Sequence, residues 1–471
     1  MVFSTLLFLF RFLPISLALY YIAPAKLKNT VLFICSLVFY SWGEVRLFPI
    51  MMVLILVNYF SGLAIEKFDH DEKKRKFFLI LSIVVSIGML FFFKYTDFFI
   101  TNINAISGLS IPLLKLTLPL GISFYTFQTM SYSIDVYRRG VPAEHNIIDF
   151  GAYVVMFPQL IAGPIVKYRD VAERLHVLKG RVTLDRVDEG ISLFIFGLAK
   201  KVLLADGISA LWYDVTGHYV NGSFEAGVGL ANASTPLVWL GIIAYTLQIY
   251  FDFSGYSMMG IGMGKMLGFD FPDNFDLPYI SRSITEFWRR WHISLSGWFK
   301  EYVYIPLGGN RKGYKRQLLN IFIVWFLTGF WHGANWNFIF WGLYYFVLLM
   351  IEKTWLLPKL EKGKIWPHIY TMVLVIIGWA FFVGSDTGVT MPLLFQKLFI
   401  PSSGVSALYF LRNYGVLLIV GVLACTSLTT KIYAVLKKHT VLRGVVLAAV
   451  LVVTVAYMVD ATNSPFLYFR F

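Results

Sequence analysis

Apolar runs of about 20 residues recur from one end of the chain to the other, and short stretches holding the Lys and Arg clusters separate them. A run of that length can cross a bilayer as a helix, so the pattern is that of a polytopic helical membrane protein. Only 14% of the residues are charged, against about 25% in a soluble domain. With 58% hydrophobic and 18% aromatic residues and a mean hydropathy of +0.67, the chain is not a soluble enzyme with one anchor. The net charge of +14 falls in clusters between the apolar runs and forms no single stripe. That distribution fits a positive-inside bias and not nucleic-acid binding.

The expected spans lie at about 3–23, 29–43, 47–65, 77–97, 116–136, 190–206, 235–258, 317–331, 335–352, 367–384, 411–430 and 441–459. Placing every basic cluster on the cytoplasmic side does not agree with strict alternation, so some segments are expected to be re-entrant or interfacial. The stretch 147–167 is the clearest: Pro158, Gly163 and Pro164 break its helix, and broken backbone at membrane depth needs burial in protein or a cavity. Residues 168–189 read as a cytoplasmic connector and 207–234 as an outside loop rich in Gly, Ser and Asn. Cys35 and Cys425 both lie in apolar stretches, which suggests neither a disulfide framework nor a thiolate metal site. The N-terminus lacks a basic region and a cleavage site and reads as a retained first span.

Within Leu327-Thr328-Gly329-Phe330-Trp331-His332-Gly333-Ala334-Asn335-Trp336, an imidazole stands where hydrocarbon is expected. Polar groups at that depth are costly and usually face a cavity or a partner. Spacing alone leaves two readings, a hydrogen-bonded structural histidine and a catalytic base. Fifteen helical residues from Gln317 rise roughly 22 Å, which puts His332 past the middle of a core about 30 Å thick. A second histidine, His292, lies in Glu286-Phe287-Trp288-Arg289-Arg290-Trp291-His292-Ile293-Ser294-Leu295. Read as one amphipathic helix through Tyr302, this stretch gathers Trp288, Trp291, Leu295 and Trp298 on one face at headgroup level, with Arg289, Arg290 and Lys300 mostly off it.

Asp252 and the pair Lys200-Lys201 are charges at membrane depth, and a buried ion pair holding helices together is the favoured reading. Gly260, Gly262, Gly264 and Gly268 follow a span and not a strand, so close packing explains them better than a nucleotide loop. The sequence holds no zinc motif of the His-Glu-x-x-His type and no Gly-x-Ser-x-Gly elbow, and no metal is expected.

Trp288-Arg289-Arg290-Trp291-His292-Ile293-Ser294-Leu295-Ser296, Tyr304-Ile305-Pro306-Leu307-Gly308-Gly309 and Trp331-His332-Gly333-Ala334-Asn335-Trp336 resemble the hallmark motifs of membrane-bound O-acyltransferases. Further matches are Pro158-Gln159-Leu160-Ile161-Ala162-Gly163-Pro164, Lys200-Lys201-Val202-Leu203-Leu204-Ala205-Asp206 and Gln248-Ile249-Tyr250-Phe251-Asp252-Phe253-Ser254-Gly255-Tyr256. The likeness is to the bacterial group that includes the alginate O-acetylation and teichoic-acid D-alanylation membrane subunits. Length and the ending Asn463-Ser464-Pro465-Phe466-Leu467-Tyr468-Phe469-Arg470-Phe471 favour the polysaccharide O-acetylation branch.

The resemblance implies an all-α polytopic fold of about 11–12 transmembrane helices, with re-entrant and interfacial helices around a central tunnel. It also implies a single domain over 1–471, with an extracytoplasmic aromatic tail at 460–471, in a bacterial cytoplasmic (inner) membrane. The implied chemistry is acyl transfer from a cytoplasmic thioester, acetyl-CoA, to a hydroxyl outside, with no bound cofactor. A thioester is already activated, so the protein must deprotonate the hydroxyl, position it and stabilise the oxyanion. His332 takes the role of base, and Asn335, one helical turn on, orients it or donates to the oxyanion. His292 works on the donor side, with Arg289, Arg290 and Trp288 at the donor and Gln248, Asp252 and Pro164 in the tunnel structure. Tyr468 is an expected acyl relay. The expected partners are an extracytoplasmic serine-nucleophile transferase of the SGNH type and an exported polysaccharide. D-alanyl transfer to teichoic acid and, in another class, a transporter or flippase are the alternatives.

Overall fold

The computed structural model describes every residue except 1, 162, 178–179, 221–222, 384–386, 388 and 461–471. The tail with Tyr468 therefore lies outside the described residues. Each expected span falls on a helix, from Leu13–Ile22 and Lys28–Glu44 through to Ala407–Ala424 and Thr440–Asp460. Among the described residues six helices are long and apolar enough to cross a membrane, and two shorter apolar helices, Phe8–Ile22 and Trp366–Phe382, accompany them. Among the described residues the one sheet is a hairpin, His218–Val220 paired antiparallel with Ser223–Glu225. It sits in the stretch read as an outside loop, which also contains the helix Gly207–Thr216, so that stretch is more ordered than its composition suggests.

The chain divides into two compact units. One comprises residues 1–194 and 257–272. Here Lys28–Glu44, Phe48–Lys67, Glu72–Ser107 and Ile122–Tyr137 provide long helices, and the stretch 147–167 is broken as its prolines require. Its helix Ile147–Val155 stops at Met156, resumes over Phe157–Leu160 and gives way to buried irregular backbone that includes Pro164. Buried broken backbone must find its hydrogen bonds inside the protein. The Phe157 N–H donates to Ser36 Oγ at 3.1 Å, and Tyr153 Oη donates to the Val166 carbonyl at 3.0 Å. Gly260 allows close approach in the same unit, since a Cβ there would meet the Pro158 carbonyl oxygen at 2.5 Å.

The other unit comprises residues 195–256 and 273–471 and holds both histidines. In it Lys201 bridges two acids, with its Nζ 2.6 Å from Asp206 and 2.7 Å from Asp252. Charges so deeply buried persist only when paired, and the pairing ties the π-helical turn Lys200–Asp206 to the long helix Thr235–Met266. Gln248 is buried one turn before Asp252 on that helix.

Candidate active site

His332 is the last residue of the helix Tyr314–His332, whose 19 residues span roughly 28 Å. The helix starts after the turn Leu307-Gly308-Gly309, where φ is +108° at Gly308 and +56° at Gly309. Glycine visits that left-handed region without the Cβ clash other residues incur. Asn320, fully buried, secures the turn by donating to the Gly309 carbonyl at 2.9 Å. The next helix, Trp336–Ile351, crosses closely against the first. A Cβ on Gly329 would meet the Phe338 carbonyl oxygen at 2.4 Å, and one on Gly342 would meet that of Trp325 at 2.4 Å. Small residues at such crossings let helix backbones approach where lipid supplies no hydrophobic drive.

The His332 ring is 7% exposed. It stands edge-on to Trp331, Trp341 and Phe382 at centroid distances of 4.9, 5.0 and 5.1 Å. Edge-to-face contacts at these distances fix ring orientation through shape and quadrupole.

The expected continuous helix over 286–302 is not formed. It splits into Ile284–Arg290 and Ile293–Phe299, and His292 between them has φ +45° and ψ +54°. The reason is tertiary: residues 274–276 pair with the break. Ile293 N–H donates to the Asn274 carbonyl at 3.0 Å, Asp276 N–H donates to the Arg290 carbonyl at 2.9 Å, and Phe275 bridges to Trp291. Trp291 and Trp298 are consequently buried and do not form an interfacial stripe. The non-glycine left-handed turn costs on the order of 1 kcal/mol and brings the His292 ring inward, to 1% exposure.

Both histidines line one cavity of about 420 Å³. Arg289, Lys300 and Lys353, all exposed, also line it, together with Trp288, Trp325 and Tyr304. The lining contains no Asp or Glu among the described residues. The cavity thus has exposed cations on its wall and buried imidazoles, a layout suited to a ligand with an anionic head and a reactive tail.

Five of the expected site residues, Arg290, Asn335, Gln248, Asp252 and Pro164, do not line the cavity. Arg290 does not line the cavity; it pairs with Glu286 at 3.0 Å and Asp276 at 3.1 Å. Asn335 is not one helical turn beyond His332, because the helix ends there and Gly333 is extended. Asn335 is exposed at the N-terminus of the following helix and is not part of the cavity lining. Gln248, Asp252 and Pro164 are buried but do not line this cavity either.

Two residues that the sequence reading passed over organise the site. Glu352, fully buried, accepts from the N–H groups of Ile284 and Thr285 at 2.6 and 2.8 Å and from Thr285 Oγ1 at 2.7 Å. It thereby satisfies the unpaired donors at the N-terminus of the helix carrying Trp288 and Arg289. Asn274 holds the His292 ring, with Oδ1 3.0 Å from Nδ1.

Comparison with known proteins places the chain in a family. The sequence profile of MBOAT, the membrane-bound O-acyltransferase family, matches residues 139–385, just over half of the chain. The chain is 43% identical to the probable alginate O-acetylase AlgI of Pseudomonas aeruginosa over 81% of its own length and 72% of the relative's. It is 36% identical to the peptidoglycan O-acetyltransferase of Helicobacter pylori, over 81% of this chain and 77% of the relative. A teichoic acid D-alanyltransferase of Streptococcus thermophilus matches at 29% identity over 52% of this chain and 59% of its own. With the profile matching 139–385, a stretch that holds both histidines' motifs, and relatives of 36–43% identity matching over most of its length, the chain belongs to the membrane-bound O-acyltransferase family.

Proposed function

We propose that the protein takes an acetyl group from a cytoplasmic thioester, acetyl-CoA, and passes it through the cavity for O-acetylation of an extracytoplasmic polysaccharide in a bacterial inner membrane. One observation carries this reading: a single cavity joins three exposed cations to two buried imidazoles. The cations Arg289, Lys300 and Lys353 suit the phosphates of a CoA head. The aromatic and aliphatic wall suits the pantetheine arm, and His332 is placed to take a proton from the attacking hydroxyl. Asn335 is exposed and outside the cavity lining, so the reading gives it no part in stabilising the oxyanion. A separate serine-nucleophile transferase outside the membrane would deliver the group to the polymer. The relatives' names support a cell-envelope glycan as final acceptor.

D-alanyl transfer from a carrier-protein thioester is the second reading, and its support is the more distant teichoic acid relatives. Release of CoA by purified protein in lipid nanodiscs tests the proposal. Wild-type protein is expected to consume acetyl-CoA with acceptor present, and His332→Ala to consume it far more slowly. Equal consumption by the two proteins would refute the enzyme reading. Consumption of a D-alanyl carrier thioester in preference to acetyl-CoA would select the second reading.

A further inference from the structure

The hydrogen bonds around His292 determine which of its nitrogens carries the proton. Asn274 Oδ1 lies 3.0 Å from His292 Nδ1 and also accepts from the Ser294 N–H at 3.2 Å and from Ser294 Oγ at 2.8 Å. A backbone N–H can only donate, so the amide atom facing Ser294 is the oxygen. An oxygen opposite Nδ1 requires a hydrogen on Nδ1. The Asn274 amide nitrogen, by contrast, is buried with no hydrogen-bond partner among the described residues, so this amide is oriented for what its oxygen does.

His292 Nε2 is then the lone-pair nitrogen. It is buried, has no hydrogen-bond partner among the described residues, and belongs to a ring that lines the cavity. An unmet acceptor in such a place costs about 1–3 kcal/mol unless something arrives to donate to it. The left-handed backbone at His292 gives the same indication, since strain of that kind persists where surrounding structure enforces it.

We propose that Asn274 is a positioning residue that locks His292 in the Nδ1–H tautomer, so that Nε2 offers a hydrogen-bond acceptor to an N–H or O–H group of the substrate in the cavity. The role follows from the tautomer. With no hydrogen on Nε2, His292 cannot protonate a leaving thiolate; it can only receive. The proposal rests on the acyl-transfer reading for the identity of the substrate, but the tautomer itself does not.

The surroundings agree. His292 lies in a connection between spans, and burial lowers its imidazole to about 3, which keeps it neutral. Phe253 and Trp331 close on the ring at 4.7 and 6.2 Å and bring no charge. The titratable and charged groups that share its cavity are His332, Tyr304, Arg289, Lys300 and Lys353; the three cations also disfavour an imidazolium.

The test is nitrogen-15 NMR on protein labelled at histidine, with the His292 signals assigned by difference against His292→Gln. The expected spectrum has a protonated Nδ1 and an unprotonated Nε2. A protonated Nε2, as the other tautomer or as imidazolium, overturns the proposal, and this measurement needs no activity. Variants at Asn274 give a second reading. Asn274→Asp keeps an oxygen on Nδ1 but adds a negative charge, which stabilises imidazolium. The His292 imidazole should then titrate about one pH unit or more higher than in wild type, read from the same nitrogen-15 signals. Asn274→Leu leaves the proton unassigned and should lower kcat on the order of ten- to a hundredfold, with the thioester KM little changed. If Asn274→Asp folds and its His292 nitrogen signals titrate as in wild type, the contact to Nδ1 does not govern the ring's protonation and the proposal fails. A wild-type protein that consumes no acetyl thioester but shows the expected spectrum refutes the acyl-transfer reading alone.

Discussion

The two histidines of the cavity are held by different chemistry. His332 ends a long helix and is gripped by the edges of Trp331, Trp341 and Phe382. His292 sits in a break between two short helices and is gripped by an amide oxygen that a backbone N–H also uses. Aromatic contacts decide where a ring lies without assigning its proton, whereas a hydrogen bond to Nδ1 does both. A fixed acceptor, the role proposed for His292, suits the second arrangement.

The largest expected effect is the asymmetry between them. His332→Ala should lower kcat for acyl transfer by about 10²- to 10⁴-fold, the range for loss of a general base. On the proposed roles His292→Ala should cost less, since it would remove a hydrogen bond to the substrate and not the proposed proton acceptor. Single-turnover CoA release from the two variants measures the difference. Equal losses would erase the division of labour, and a larger loss for His292→Ala would reverse it.

Next comes the grip on His332. Trp341 also contacts Trp288 at 5.4 Å and Tyr345 at 5.2 Å, so its removal opens a void in the aromatic wall. Trp341→Ala should destabilise the protein by about 3–5 kcal/mol and lower kcat with it. Trp341→Phe should recover most of both, because a ring edge remains. Thermal unfolding in detergent reads the first quantity and CoA release the second. If the alanine variant keeps wild-type stability and turnover, shape does not hold His332.

The same contrast explains what could be read in advance. Helical spans follow from apolar run length, and those runs were visible without any contact information. His332 and His292 stood out because each imidazole lies among tryptophans in a motif. The break at His292 was invisible because Trp288, Trp291, Leu295 and Trp298 have helical spacing; pairing with residues 274–276 overrides that local preference. Asn335 was placed by continuing a helix through Gly333, whose extended backbone ends it. Asn274 and Glu352 act on groups 18 and 68 residues away in sequence, a separation that spacing does not encode. Adjacent Arg289 and Arg290 looked alike and diverge because only Arg290 meets Asp276 and Glu286.

Glu352 links the two regions, since it lies just beyond the helix that follows His332 and holds the helix that precedes His292. Glu352→Ala leaves three donors without their acceptor, at a cost of about 2–4 kcal/mol. Glu352→Gln retains one carbonyl oxygen and should lose about half as much. The unfolding midpoints of the two variants test this. Should both match wild type, water or another group satisfies that helix end and Glu352 does not couple the regions.

The smallest expected effect concerns the cavity's cations and separates neighbours in sequence. Arg289 and Lys353 are exposed lining residues, so on the proposed donor role each would contribute a solvent-screened interaction of up to about 1 kcal/mol. Replacing either with Ala should raise the acetyl-CoA KM about two- to fivefold at low salt with kcat retained. The increase should shrink as ionic strength rises from about 0.01 to 0.15 M, because the screening length falls from about 30 to about 8 Å. Arg290→Ala should leave KM unchanged and act on stability, through its lost pairs with Glu286 and Asp276. KM measured against salt for the three variants distinguishes the cases. A salt-sensitive KM increase in Arg290→Ala equal to that in Arg289→Ala would mean the donor's phosphates reach past the cavity wall to the Asp276 side.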